Sequence, residues 1–268
     1  MEGGLSMKKS EGHNDKHIRA LANGLAVLDC FRDIDEYGIT EIGSITGLPD
    51  SSVQRIVYTL ESTGYLYQNL DNKKYRLTPK ILLTCEKSSN LMRWQKQARK
   101  HMESLNEFCG ENVNLAIRQG DQCSYIELVE SKHLLRPHFT LGDYYPMYCT
   151  TLGRSLLSGL PDEQIEAELP KKLEARTPLT LTDRKDVIEK IKEIRVNKYA
   201  IDDEEFYLGL YCIGGPIYGV GRQVIAALSI IAPKVRLDEK IIENLIPRVI
   251  ETTRLIGQEY RDIFGHIE

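Results

Sequence analysis

No stretch of about 18 consecutive apolar residues occurs in the 268-residue chain, so the sequence offers no membrane-spanning helix. The opening MEGGLSMKKSEGHNDKH lacks the apolar core of a secretory signal, and residues 1–16 are expected to form a disordered leader on a cytoplasmic protein. None of the six cysteines (Cys30, Cys85, Cys109, Cys123, Cys149 and Cys212) forms a C-x-x-C pair, and the six histidines do not cluster at ligand spacing. Free thiols in a reducing compartment and no metal site are therefore expected. G-x-S-x-G is absent; GPIYGVGRQV lacks the G-x-G-x-x-G spacing of a phosphate loop and reads as a hairpin turn, so no cofactor is implied. A basic excess is missing too. The net charge is −4; residues 80–104 are net positive, while residues 17–79 and 105–268 are net negative. Any contact to phosphate must come from individually placed cations, not from a general positive field.

What the sequence does contain is a polar helix face of unusual chemistry. In ITGLPDSSVQRIVYTLESTGYL, Val53, Ile56, Val57 and Leu60 recur at i, i+3, i+4, i+7, the stripe of a helix docked on a small core. The opposite side carries Ser51, Ser52, Gln54, Arg55, Tyr58 and Thr59, which are hydrogen-bonding groups with few of the Glu and Lys that solvate an idle face. Upstream, ALANGLAVLDCF places Leu21, Leu25 and Leu28 on one helical face. Thr40 is a candidate N-cap for a short helix with Ile42 and Ile45 turned inward, Gly47 suits a left-handed helix end, and Pro49 suits the start of the next helix. Two short helices joined in this way form a helix-turn-helix. Downstream, TGYLYQNLDNKKYRLT gives two extended runs about an Asp71–Asn72 turn, with Lys73, Lys74 and Arg76 on the second. Helices followed by such a hairpin make a winged helix-turn-helix over residues 17–79.

Beyond Pro79, Leu91, Trp94, Ala98, Met102 and Leu105 mark an amphipathic connector within a linker region, 80–106. Residues 107–268 show extended runs around NVNLAIR, CSYIELVES, GLYCIGGPIY and RQVIAALSIIA. Helices are expected near 151–159, 162–169 and 183–197, the last with Val187, Ile191 and Ile194 inward. A closing helix over 238–264 is expected to be interrupted at Pro247. Without strict β-α-β alternation this half is α+β.

The stretches RALANGLAVLDCF, ITEIGSITGLPDSSVQRIVYTLESTGYL and KYRLTPKILLT, followed in order by YCTTLGRSLLSGLP, YAIDDEEFYLGLYCIGGPIY and AALSIIAP, resemble the IclR family of bacterial transcriptional regulators across nearly the whole chain. The resemblance implies a winged helix-turn-helix, a linker helix and a GAF-like α+β effector-binding domain. It also implies homodimers or dimers of dimers on palindromic double-stranded operators, with a small organic or aromatic acid altering DNA binding.

On the DNA side, Gln54 and Arg55 are the expected base readers. Ser51, Ser52, Lys73, Lys74 and Arg76 are assigned to phosphate, with Tyr58 farther along the helix. Tyr58 packed on the wing, and Lys73 and Lys74 as a solvated hairpin tip, are the alternatives. For the effector the resemblance implies Thr151, Asp202, Cys212 and Ser229 as polar groups, with Leu152 and Leu210 as apolar wall. A buried carboxylate needs donors, and Thr151, Ser229 and the Cys212 thiol can supply them. Ile231 stands where sensors of small acids often carry a second serine, which points to a larger and less polar ligand. Cys212 as core filler, Ser229 as a backbone partner and DDEE as a solvated turn remain open at this level. So do two other functions: a small-molecule sensor without effective DNA binding, and an enzyme using Cys212 or Cys149 with His138 or Asp202 as base.

Overall fold

The computed structural model describes residues 18–32, 36–84 and 89–265, so the expected leader at 1–16 lies outside the described residues. The chain divides into two compact units between Ser89 and Asn90.

The first unit contains α1 (Arg19–Asp29, running into a 3-10 turn at Cys30–Arg32), α2 (Ile39–Thr46), α3 (Asp50–Ser62), the antiparallel pair β1 (Leu66–Gln68) and β2 (Tyr75–Leu77), and α4 (Lys80–Thr84). Its core gathers Val27, Ile42, Val53, Val57, Leu66 and Tyr75. Gly47 ends α2 in the left-handed conformation (φ 70°), which a residue without Cβ adopts at little cost. The turn into α3 is therefore tight.

Two local expectations are corrected. Gly38, not Thr40, caps α2, because its N–H donates to the Glu41 carboxylate at 2.6 Å and leaves Thr40 inside the first turn. Ile45 is 56% exposed; in this helix of eight residues Ile42, with 0% exposure, and the half-buried Ile39 take the core-facing side. Leu21, Leu25 and Leu28 share a face of α1 as expected; Leu28 packs on the core, Leu21 and Leu25 are exposed, and Val27, a third of a turn away, is fully buried.

The second unit opens with α5 (Ser89–Cys109) and continues through β3 (Asn112–Gln119), β4 (Gln122–Val129), β5 (Tyr144–Pro146), α6 (Thr151–Leu157), α7 (Asp162–Glu168), α8 (Arg184–Asn197), β6 (Ala200–Asp203), β7 (Leu210–Tyr218), β8 (Val224–Pro233) and α9 (Glu239–Phe264). The six strands form one antiparallel sheet in the order β5-β4-β3-β8-β7-β6. GPIYGVGRQV is the β7–β8 hairpin turn, with Gly221 at φ 64°. Because strand side chains alternate, Val113, Leu115, Ile213, Leu228 and Ile230 face a layer made by α5 and α9. Their neighbours Ala116, Cys212, Ala227 and Ile231 face α6, α7 and α8. With both faces covered, β7 and β8 are nearly continuous apolar runs.

The amphipathic helix expected as a connector, α5, is packed onto the second unit. Trp94, Ala98, Met102 and Leu105 are buried, and the Trp94 indole N–H donates to the Ile256 carbonyl of α9 at 3.0 Å. The helix α9 is not interrupted at Pro247. The ring removes one backbone donor, yet Leu245 on one side and Val249 and Ile256 on the other are buried against the sheet, and that packing carries the helix through.

Candidate functional site

On α3, Val53 and Val57 are fully buried and Ile56 and Leu60 half-buried, so the opposite face is forced outward. Ser51, Gln54, Arg55 and Tyr58 are exposed and Ser52 half-buried. Tyr58, 70% exposed, does not pack on the wing. The three wing cations differ from one another. Lys73 sits at the hairpin tip with φ 60°. Lys74 is engaged by Glu41 of α2 at 2.8 Å, and the Arg76 guanidinium lies 5.2 Å from the Tyr67 ring. Side-chain hydrogen bonds shape the turn itself: Asn69 Oδ1 accepts from Asp71 N and Asn72 Oδ1 from Lys74 N. An apolar groove of about 990 Å³ also runs between α1 and α3, lined by Leu21, Leu25, Ile56 and Leu60 with Arg55 and Tyr58 among its walls.

In the second unit Thr151, Leu152, Asp202, Leu210, Cys212 and Ser229 all line one cavity. Register brings them together: Cys212 faces Asp202 on β6 and Ile231 on β8, and Gly214 faces Ser229. Gly214 is what lets α6 reach the sheet, since a Cβ there would lie 2.6 Å from Thr151 Cγ2 and 2.3 Å from the Leu228 carbonyl. Thr150 caps α6 by accepting from Gly153 N at 3.1 Å, which fixes Thr151 at the cavity. Its remaining walls, Tyr125, Phe139, Phe206 and Tyr207 in particular, were not singled out from the sequence. The aromatic pair after DDEE was the available signal.

The polar groups here are unusual for a folded interior. Thr151 Oγ1 and Ser229 Oγ are buried and have no hydrogen-bond partner among the described residues. The Asn114 amide lies beside the Tyr125 hydroxyl but meets no partner at hydrogen-bond geometry among the described residues. Leaving such groups unpaired costs roughly 1–3 kcal/mol each, so their concentration at a cavity marks it as a place for a polar guest. Asp202 is 3% exposed, and burial pushes its carboxyl up to about 6. The Arg154 charge and the Glu205 N–H, which donates to Asp202 Oδ1 at 2.8 Å, pull in the other direction. Arg154, itself 1% exposed, pairs with Glu205 at 2.7 Å.

Chemistry based on a thiolate does not suit these surroundings. Burial raises the Cys149 thiol to about 12 and the Cys212 thiol well above its ordinary value, so both are protonated at neutral pH and poor nucleophiles. Among the described residues no group of three or more His, Cys, Asp or Glu is placed to hold a metal ion, and no helix is long and apolar enough to cross a membrane.

The model for the C-terminal domain of the bacterial transcriptional regulator IclR matches residues 88–258, and that for the IclR helix-turn-helix domain matches residues 20–70. The HTH-type transcriptional regulator XynR of Escherichia coli is 29% identical over 229 residues, covering 85% of this chain and 91% of that protein. The HTH-type transcriptional regulator BhcR of Paracoccus denitrificans is 28% identical over 256 residues, covering 94% and 89%. The crystal structure of an IclR homologue from Microbacterium hydrocarbonoxydans, complexed with 4-hydroxybenzoate, superposes with a TM-score of 0.74 at 24% identity, over 91% of this chain and 99% of that one. Both of those curated relatives are transcriptional regulators. With an outward polar helix in one unit and an inward polar cavity in the other, the chain belongs to the IclR family of bacterial transcriptional regulators, a helix-turn-helix DNA-binding domain joined to an effector-binding α+β domain.

Proposed function

We propose that the protein binds palindromic operator DNA in the cytoplasm as a homodimer or dimer of dimers, and that an organic or aromatic acid in the α6/β7/β8 cavity changes its operator affinity. The observation that carries this reading is the division of α3: Val53 and Val57 are wholly buried, whereas Gln54, Arg55 and Tyr58 stand in solvent. Gln54 and Arg55 read base edges by paired hydrogen bonds, and Ser51 and Ser52 hold phosphate near the start of the helix. Tyr58 lies farther along the same face. Lys73 and Arg76 extend phosphate contact along the wing, while Lys74 supports α2 through Glu41 more than it serves DNA.

At the cavity, the Thr151 and Ser229 hydroxyls donate to the effector carboxylate, and Leu152, Leu210 and the aromatic walls cover its ring. Asp202 orders the loop after β6, and its half-protonated state near pH 6 reduces repulsion of an incoming anion. Cys212 is a wall residue whose thiol remains protonated. An effector that prefers one arrangement of the dimer shifts the population of that arrangement, and operator affinity follows.

The test is a titration of DNA from upstream of the protein's own gene at two salt concentrations, with and without a panel of organic and aromatic acids that includes 4-hydroxybenzoate. Sequence-selective binding, lowered about 100-fold or more in the Gln54→Ala/Arg55→Ala variant, is the expected result. Undiminished binding by that variant overturns the assignment of α3. Failure of the native protein to select any DNA, with acid binding retained, leaves a sensor alone.

A further inference from the structure

The cavity lined by Thr151, Cys212 and Ser229 holds only about 20 Å³, room for one water, whereas a benzene-sized guest needs on the order of 150 Å³. Beside it lies an outer cleft of about 300 Å³ lined by Arg176, Thr177, Phe206, Tyr207 and Leu208. Phe206 and Tyr207 line both spaces. We propose that the Phe206 ring is a movable partition between the inner cavity and this outer vestibule, and that Arg176 at the vestibule is the first contact of an incoming aromatic carboxylate. The inference rests on the reading of the inner cavity as the effector site and adds its entrance, its gate and its charge selectivity.

The loop between β6 and β7 is built for a local swing. On its N-terminal side every backbone group is held: Asp202 Oδ1 accepts from Glu205 N and, at 3.4 Å, from Phe206 N. Thr177 Oγ1 donates to the Glu204 carbonyl at 2.7 Å and Thr180 Oγ1 to the Glu205 carbonyl at 2.5 Å. On its C-terminal side Gly209, at φ 80°, donates to the Glu204 carboxylate, which Lys234 also grips at 2.7 Å. Between these two anchors stand Phe206, Tyr207 and Leu208, and the last two are 56% and 61% exposed. The Phe206 ring leans edge-on against Tyr145 and Tyr207 at 5.9 and 5.0 Å, contacts that a rotamer change releases without disturbing either anchor. Turned toward the cleft, the ring joins the two spaces into one large enough for a monocyclic acid.

Arg176 gives the vestibule its sign. Its guanidinium lies 5.9 Å from the Phe206 ring and beside the Tyr148 hydroxyl, and among the described residues no carboxylate is within ion-pair distance of it. A cation stacked on the gate attracts an anion to the gate itself, and transfer inward then exchanges the guanidinium for the Thr151 and Ser229 hydroxyls.

Cys212, on the inner wall, reports the gate without any need to know the effector. The full-length protein is labelled with two small thiol reagents, neutral methyl methanethiosulfonate and its anionic sulfonatoethyl counterpart, and the rate at each cysteine is read by peptide mass spectrometry. Phe206→Ala is expected to speed Cys212 labelling by both reagents about tenfold, and Phe206→Leu by less, while Cys123 in the same core and Cys30 in the other unit keep their rates. Arg176→Gln is expected to keep the neutral rate at Cys212 and lower the anionic-to-neutral ratio about threefold. Should Phe206→Ala also expose Cys123, its fold has opened and Phe206→Leu decides. Cys212 rates within twofold of the native protein in both Phe206 variants overturn the gate, and an unchanged reagent ratio overturns the role of Arg176. A protein that gates Cys212 but answers no acid sinks the effector reading alone; one whose operator release by an acid is lost in Ser229→Ala, with no gating at Phe206, sinks this inference alone.

Discussion

The two units handle polar chemistry in opposite ways. In the helix-turn-helix unit the groups proposed to read DNA face water, and the core beneath them is small and wholly apolar apart from Tyr37 and Tyr75. In the α+β unit polar groups are turned inward, and every buried side-chain atom lacking a partner among the described residues falls there: on Asn114, Thr151, Arg154, Ser155, Glu205 and Ser229. Solvent satisfies an outward site until DNA replaces it. An inward site has no such substitute, so it is held by the surrounding sheet at a cost that the proposed guest would remove. Each unit is therefore vulnerable in its own way: the first through its exposed side chains, with little effect on stability, and the second through its packing.

The largest expected effect comes from Gly214→Ala. A Cβ at this position meets the Leu228 carbonyl at 2.3 Å and Thr151 at 2.6 Å, both on fixed elements. Overpacking of this kind should destabilise the α+β unit by about 3 kcal/mol in urea unfolding, against about 1 kcal/mol for Gly47→Ala, which only strains a left-handed turn. Equal losses at the two glycines would break the contrast.

Asp202→Asn tests the inward carboxylate next. Its folded pKa, about 6, stands above the ordinary 3.8, so the folded protein binds the extra proton between those values. The associated stability is complete below pH 4 and is lost as pH rises through 6. The Asn variant, which keeps an acceptor for the Glu205 N–H, should therefore match the native protein near pH 4. At pH 8 it should exceed it by up to about 3 kcal/mol, at roughly 1.4 kcal/mol per pH unit. A native protein that is the more stable at pH 8 would contradict this.

Ser229→Ala sharpens the same point on a smaller scale. Removing an unpartnered buried hydroxyl should leave stability within about 1 kcal/mol, while acid binding weakens about tenfold. A large loss of stability with intact binding would make Ser229 a structural residue. The smallest effect separates two neighbouring lysines. Lys73→Ala should reduce the log–log salt slope of operator binding by about 0.9, whereas Lys74→Ala, already neutralised by Glu41, should change it by much less. Equal slopes would remove the distinction.

Much of the outward site was legible in the sequence, because a helix on a small core writes its stripe directly: Val53, Ile56, Val57 and Leu60 determine where Gln54, Arg55 and Tyr58 must point. The hairpin and the Gly47 turn follow from equally local rules. Exposure of Ile45 was not legible, since a helix of two turns has more apolar side chains than core to receive them. The inward site depends on register between distant strands, which periodicity does not encode. Its six expected residues came from family likeness, and Tyr125, Phe139 and Phe206 emerged only when β4, the loop before β5 and the β6–β7 loop closed on one another. The short strands β5 and β6 escaped notice because three or four residues ending in polar or proline positions carry no alternation to detect.

The single tryptophan of the chain is Trp94, wedged edge-on against Tyr260 and tied to α9. Indole emission consequently follows the melting of one half of the molecule and is blind to the other, while far-ultraviolet dichroism sums both. Denaturation curves recorded with the two probes on one sample would superimpose only if the halves unfold as a single cooperative block.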